Sequence, residues 1–445
     1  MVDIASDLLE IMRQRFDSSP FPREPLEKSP KNEPDKLYIH SLVNAYYLRT
    51  QKVINTQGKL ILDAGCGSGY KSLMLAEANP GAKIVGFDIS PESVKLARER
   101  LAYHGFDNAE FHVLALEELP VLNQQFDYIN CDELLYLLPD INVGLKAMQA
   151  VLKPDGIIRT NLHSIFGRSE VFRAQKAFTM MGLMGGTPGE LEVEIVRETM
   201  LALKKDVQLK ARTWRPEYAT PEGEERILMN YLLQGDKGFT VPEMFSALAD
   251  SHLEFISMVN WRQWQLLDLF QEPDNLPSFL AMSLPDISLE ESLHLYELFH
   301  PVHRLLDFWC GHPQASLDIL PLTEWTDEHW RSATVHLCPQ LQTPQFQAAL
   351  FACVREVRPF PISQFLSLIE GLVTIESSMA ACLIPLLEQP QPMMALVERW
   401  RQLRPLDPVT LQPLELQTAF NLVQQLVVSL ASLGYLMLER GDLHP

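Results

Sequence analysis

Between residues 59 and 160 the spacing of hydrophobic positions changes period several times. Short solid apolar runs alternate with stretches in which apolar residues recur every three to four positions. That alternation predicts strands linked by crossover helices in a parallel sheet. The first strand climbs through Lys59-Leu60-Ile61-Leu62 into Asp63. A helix is predicted over about Tyr70–Ala78, stopped by the breaker cluster Asn79-Pro80-Gly81. Lys83–Phe87 forms the second strand, ending at Asp88. The next helix opens on Ser90-Pro91-Glu92, a capping hydroxyl, a proline at the first helical position and an acid in the first turn. Further strands are predicted at Ala109–Leu114, Phe126–Cys131 and Gly156–Asn161.

Outside this block the pattern is mainly helical. Residues 3–16 and 36–54 show helical spacing. Between them lies Phe16-Asp17-Ser18-Ser19-Pro20-Phe21-Pro22-Arg23-Glu24-Pro25, whose prolines forbid a helix. This segment reads either as a surface connector or as an arm whose aromatics cover a neighbouring pocket. Residues 165–235 interrupt the alternation and predict a helical insert. A helix from Val241 to about Ala249 and a strand at Leu253–Trp261 then complete the sheet, which is expected to close near 262. Helices follow at Gln263–Gln271, across Leu289–Cys310 with a break at Pro301, and around 344–357, 363–388, 392–403 and 415–433, with a short strand at Gly434–Leu438. The expected partition is a helical arm over 1–58, an α/β domain over 59–262, a helical middle region over 263–330 and a helical C-terminal domain over 331–445.

Composition narrows the function class. A chain of 445 residues exceeds one ordinary core, and 47% hydrophobic with 21% charged residues is globular. A formal charge of -20 disfavours nucleic acid, whose phosphates call for clustered Lys and Arg. Six cysteines without a C-x-x-C pair suit reduced thiols and a cytoplasmic setting. The N-terminus lacks a basic, apolar leader, and Leu426–Leu438 is too short to span a bilayer, so no membrane role is expected. His300, His303, Cys310 and His312 match no tetrahedral ligand spacing, and no metal is expected.

The candidate chemistry centres on Asp63-Ala64-Gly65-Cys66-Gly67-Ser68-Gly69, a strand end, a glycine turn and a helix start. Such a turn brings bare backbone against a polar ligand. A dinucleotide G-x-G-x-x-G would place a small residue at position 70, where Tyr70 stands. Asp88, at the end of the second strand, can accept both hydroxyls of a ribose. The bland alternative is an ordinary strand–helix turn with a capping aspartate.

D-x-G-x-G-x-G resembles motif I of class I S-adenosylmethionine (SAM) methyltransferases. Phe126–Pro139 resembles their strand-four motif, and Leu152-Lys153-Pro154-Asp155-Gly156 their turn before strand five. The resemblance implies a doubly wound, mostly parallel, seven-stranded Rossmann-like sheet with SAM as cofactor. It implies that Asp63, Gly65, Gly67 and Gly69 hold the methionine end and that Asp88, with Ile89 beside it, holds the ribose. Leu116 and Glu117 lie where the family contacts adenine, and Asn130 and Cys131 where it lines the pocket floor. Many members carry an acid where Ala115 stands, so an adenine contact falls to Glu117 or to backbone. The arm, Phe16 to Pro22 followed by Pro25, resembles the aromatic-x-S-x-P-F-P segment of bacterial methyltransferases with a C-terminal methyltransferase regulatory domain, a group that includes protein-lysine methyltransferases. His303-Arg304-Leu305-Leu306-Asp307-Phe308-Trp309 lies where those proteins show a Y-L-D-F-like segment, and residues 378–440 are similar to their winged-helix-like end.

Methyl transfer is an in-line displacement in which the enzyme positions and desolvates, with a base needed only where the acceptor must lose a proton. Asn130-Cys131-Asp132-Glu133 lacks the N-P-P-[YF] signature of amide and exocyclic-amine methylases. Cys131 lacks a cytosine-methylase context and reads as an inert thiol. His163 and Tyr136 fall on loops after strands, where an acceptor would be held, and are the candidate catalytic residues. A protein side chain is the favoured acceptor, because the appended C-terminal module exceeds what a small molecule requires. The alternatives are a small acceptor under a lid made by arm and insert, and a regulator that binds SAM without transferring its methyl group.

Overall fold

The structure, a computed structural model, describes residues 13, 17, 20–314 and 319–441. Its centre is a seven-stranded sheet of β1 (Leu60–Ala64), β2 (Lys83–Asp88), β3 (Glu110–Val113), β4 (Phe126–Cys131), β5 (Leu152–His163), β6 (Glu254–Met258) and β7 (Leu305–Gly311). The strand order is β3-β2-β1-β4-β5-β7-β6. The first five strands pair in parallel, and β7 runs antiparallel to both β5 and β6. Successive residues feed opposite faces, as the two-residue period of a strand requires. Ile61, Ile84, Tyr128, Ile157 and Trp309 enter one core, while Leu62, Val85, Ile129, Ile158 and Phe308 enter the other.

β7 departs from the expectation of helix across Leu289–Cys310. The helix there ends at Phe299, ahead of Pro301. Leu305 to Gly311 then inserts between β5 and β6, so the sheet does not close at 262. A strand with neighbours on both edges and cores on both faces reads as a solid apolar run, without the alternation that marks a half-buried strand.

Three smaller expectations also change. The 36–54 helix is two helices, Pro34–Ile39 and Leu42–Thr50, because Ser41 caps the second by accepting from Asn44 N–H. Gln263–Gln271 contains only short 3-10 turns, Trp261–Trp264 and Leu266–Leu269. Between 363 and 388 the chain is irregular up to Ser377, with Gly371 at φ +102°. The helix expected over 3–16, Phe16 included, lies outside the described residues apart from Arg13.

The insert forms four helices, Ser169–Met180, Glu190–Ala202, Gln208–Thr213 and Glu224–Asn230, around a small core that includes Phe178, Val196 and Tyr231. The C-terminal region is mainly helical. It carries a three-stranded antiparallel sheet, β10 (Leu436–Glu439), β8 (Thr334–Leu337) and β9 (Gln391–Pro392), in that order. The helix Leu42–Thr50 fastens this region to the central sheet. Asn44 Nδ2 donates to Gln340 Oε1 at 3.0 Å, the Tyr47 hydroxyl accepts from Leu438 N–H at 2.8 Å, and Arg49 Nη1 donates to Gly156 O at 3.0 Å. One apolar core runs from the sheet face through to Val335, Phe420 and Leu438. Among the described residues no helix is long and apolar enough to cross a membrane.

Candidate active site

The loop leaving β1 carries Gly65, Gly67 and Gly69 at φ +73°, +50° and +79°, a region costly to residues with a side chain. Gly65 and Cys66 both donate their N–H to Phe87 O, at 2.9 and 2.8 Å, which ties the loop to β2. Asp88 holds the next turn. Its Oδ2 accepts from Gly67 N–H at 3.0 Å and its Oδ1 from Ser90 N–H at 2.9 Å. Burial raises the Asp88 carboxyl above the usual range, against these amide bonds.

The arm lies directly on this loop. Ser68 N–H donates to Phe21 O at 2.8 Å, and Ser68 Oγ donates to Pro22 O at 2.7 Å. Arg100, fully buried, donates Nε to Ser68 O at 2.9 Å, Nη1 to Pro25 O at 2.7 Å and Nη2 to Glu24 O at 2.8 Å. A single guanidinium thus fastens arm to loop, using the fixed fork of donors that a lysine lacks.

A cavity of about 1070 Å³, counting its opening to solvent, lies beside the loop. Gly65, Gly67, Asp88, Ile89, Leu116 and Glu117 line one side, and Phe21 and Pro22 of the arm close over it. Leu134, Leu137, Leu138, Pro139 and Met229 form an apolar wall, and Lys71, Asp132 and Glu133 an ionic one. Lys71 Nζ lies 2.7 Å from Asp132 Oδ2 and 3.7 Å from Glu133 Oε2. Arg304 bonds the other oxygen of Glu133. Behind Asp132 stand Arg159, at 3.4 Å, and the Asn161 amide, at 2.5 Å. Burial alone would raise the Asp132 carboxyl, yet Arg159 and Lys71 outweigh it and hold it well below the carboxylate range.

Residues 55–221 match the family model described as a methyltransferase domain. An uncharacterised protein of Synechococcus sp. is 28% identical over 315 residues, covering 70% of this chain and 72% of that one. A ubiquinone biosynthesis O-methyltransferase of Bordetella avium is 36% identical over 104 residues, which cover 22% of this chain and 41% of that enzyme. This chain therefore spans less than half the length of that relative. PKMT2 from Rickettsia typhi has a similar fold over 95% of this chain and 77% of its own, with TM-score 0.59 and 16% identity. The same protein in complex with AdoHcy gives 0.58 and 17% over 92% of this chain and 76% of its own. The chain carries a class I SAM-dependent methyltransferase domain.

Of the residues expected to touch the cofactor, Gly65, Gly67, Asp88, Ile89, Leu116 and Glu117 line the cavity of the methyltransferase and the rest do not. Asp63 is buried beneath the loop, accepting from Ser72 Oγ at 2.6 Å and Asn130 Nδ2 at 2.9 Å. Asn130 in turn accepts from Arg159 Nη1 at 3.0 Å. Cys131 is buried, its thiol pushed up to about 12 by loss of solvent, which leaves it inert. Gly69 serves packing, since a Cβ there would come within 2.6 Å of Ala97 Cα.

His163 and Tyr136 do come together, their rings stacked with centroids 3.7 Å apart, but both are buried and neither lines the cavity. His163 is the last residue of β5 and Tyr136 lies in a 3-10 turn after β4, and with both rings buried this geometry does not support direct contact with an acceptor. His163 Nδ1 faces Asp236 Oδ1 at 2.6 Å, and its Nε2 lies 3.4 Å from Arg304 Nη1. Burial first, then Arg168 and Arg304, lowers the His163 pKa, and Asp236 opposes them. Burial also pushes the Tyr136 phenol far above its ordinary value. Sequence reading did not assign Lys71, Asp132, Glu133, Arg304 or Asp236 to the site. Asp132 and Glu133, directly after strand four, carried a usable signal; Arg304 and Asp236 had none, being brought in by distant segments.

Proposed function

We propose that the cavity holds SAM with its adenosyl end along Asp88, Ile89, Leu116 and Glu117 and its methionine end at Gly65 and Gly67, and that the methyl acceptor is a protein side chain. Bound SAM supplies an electrophilic methyl group on a sulfonium. Each Asp88 oxygen already accepts one backbone N–H and keeps acceptor capacity for a ribose hydroxyl. At Ala115 the backbone N–H is taken by Glu118 Oε2 at 2.8 Å, which leaves exposed Glu117 and apolar Leu116 to face adenine. Phe21 and Pro22 exclude water from one side of the cavity. Asp63 and Asn130 support the loop from below, and His163 positions Arg304.

One observation carries the acceptor reading. Arg304, bonded to Glu133 on the cavity wall, also lines a second hollow with Asn260, Trp264, His303, Leu305 and Asp307. A second hollow on the side of the middle region is thus joined to the ionic wall of the cavity by one ion pair, a placement that suits a chain segment better than a small molecule. Fold similarity over nearly the whole chain to PKMT2, a name that denotes a protein-lysine methyltransferase, supports the same reading. The apolar wall of Leu134, Leu137, Leu138, Pro139 and Met229 favours a second reading, an apolar small acceptor, and the quinone-pathway relative matches within this shared domain.

Incubation with methyl-labelled SAM and a cell lysate separates these readings. Label in a protein band supports the proposal. Label in the solvent-extractable fraction supports the small acceptor. SAM binding without transfer supports a sensory role.

A further inference from the structure

Between Arg262 and Arg304 the chain carries seven carboxylates, from Asp268 to Glu297, and no lysine or arginine. Four of them have partners within the fold. Asp268 lies 2.9 Å from Arg262 Nη1, Glu272 accepts from Asn275 Nδ2 at 2.8 Å, Glu291 accepts from Ser288 Oγ at 2.8 Å, and Glu297 is buried against His294. Asp274, Asp286 and Glu290 pair with no cation among the described residues.

The same segment exposes apolar surface. Leu267, Leu298, Phe299 and Val302 are 47% to 59% exposed. The helix Ser278–Ser283 buries none of its residues and leaves Phe279 and Met282 in solvent. Leu269, Phe270, Phe299 and His300 line a hollow of about 560 Å³, counting its opening to solvent. Tyr296 joins this hollow to the one lined by Trp264, His303 and Arg304. Its ring centroid lies 6.0 Å from that of His300 and 5.8 Å from that of His303, which stacks on Trp264 at 4.4 Å. Arg304 then reaches Glu133 on the wall of the cofactor cavity.

Clustered exposed apolar side chains mark a surface that another molecule covers, and the charge here selects the cover. A second copy on a two-fold axis would set the same carboxylates against each other, in a chain whose formal charge is already -20. An anionic lipid surface is repelled in the same way. A basic polypeptide is attracted. We propose that this face docks the methyl-accepting polypeptide through a segment bearing both apolar and basic side chains. Its apolar residues cover Phe270 and Phe299, and its lysines or arginines meet the carboxylates that have no cation. The assignment rests on the protein-acceptor reading above and deepens it, since docking here leads the acceptor towards Arg304 and the ionic wall.

The test uses the full chain and three dye-labelled peptides of equal length, built from lysine and leucine, lysine and serine, and glutamate and leucine. Fluorescence anisotropy should show the lysine–leucine peptide binding at least about 10-fold more tightly than either other. Phe299→Ser should lose about 10-fold, and the triple variant Asp274→Asn, Asp286→Asn, Glu290→Gln several-fold with a flatter salt dependence. SAM affinity should stay unchanged in both, which reports an intact fold. Equal binding of the three peptides, or variants that bind the first as the wild type does, overturns the docking. Binding of phosphatidylserine vesicles in place of the peptide, or a dimer that Phe299→Ser dissociates, also overturns it. With methyl-labelled SAM and a lysate, protein label should fall at least about 5-fold in each variant. Undiminished protein label overturns the docking alone, whereas a wild type that labels no protein overturns the acceptor reading itself, a distinct result.

Discussion

The carbonyl oxygen of Phe21 occupies the space in which a side chain on residue 67 would begin: a Cβ there would come within 2.1 Å of it. The arm and the glycine loop are therefore one fitted unit. Gly67→Ala must displace one of them and also hold φ near +50°. We expect a stability loss of about 1–3 kcal/mol in denaturant titration and at least about 10-fold weaker SAM binding. Unchanged values for both would mean that the arm does not rest on the loop.

Arg100 holds that unit from the other side. Arg100→Lys keeps the charge but cannot reach three carbonyls in one plane, and should cost about 2–3 kcal/mol. Limited trypsin digestion should then cut faster at Arg23 and Lys28 than in the wild type. An unchanged digestion rate counts against the fastening role.

Asp236 is the buried partner of three groups. It accepts from Gln175 Nε2 at 2.8 Å and Arg168 Nη2 at 3.1 Å, and faces His163 Nδ1 at 2.6 Å. Asp236→Ala leaves Arg168 uncompensated in the interior and should lose about 3–5 kcal/mol, visible as a lowered denaturation midpoint. Asp236→Asn, which still offers an acceptor, should lose less. Equal midpoints for Asp236→Ala and the wild type would refute this.

Much of this fold was legible because local chemistry and tertiary role agree. Ser90-Pro91-Glu92 starts a helix as its residues dictate, with Ser90 Oγ accepting from Ser93 N–H. Gly65 and Gly67 line the cavity for the reason their spacing suggests. β7 was illegible because Leu305 to Cys310 feeds cores on both faces and follows closely on the helix Leu289–Phe299, so no two-residue alternation marks it off. The Lys71–Glu133 and Glu133–Arg304 relationships are long-range in sequence and leave no local pattern. Tyr136 lies after β4 as expected, whereas His163 still belongs to β5, which runs two residues past the expected end, and neither ring lines the cavity, which position along the chain alone does not encode.

His40 gives the fold a pH dependence with a defined sign. Its Nδ1 faces Lys36 O at 2.7 Å and its Nε2 faces Arg159 Nη1 at 3.2 Å, so a proton on Nε2 would point at a guanidinium. Burial first, and the Arg159 charge second, push its pKa down to about 3 from 6.5. Between those values the unfolded chain takes up a proton that the folded chain refuses. The His40 contribution is therefore complete above pH 6.5 and falls as pH drops through 6.5 towards 3. Lowering pH from 6.5 to 5 should cost the wild type about 2 kcal/mol through this group, and His40→Gln should remove that part of the slope. Parallel pH–stability curves for the two proteins would contradict it.

The central claim is that SAM binds beside Gly65 and Gly67 with Asp88 on its ribose. Isothermal titration of SAM into wild type and Asp88→Ala tests it most directly. The expected result is saturable one-site binding by the wild type and a loss of about 30-fold or more in the variant, since two hydroxyl contacts and the turn they share go together. No binding by the wild type, or equal affinity in Asp88→Ala, would contradict it.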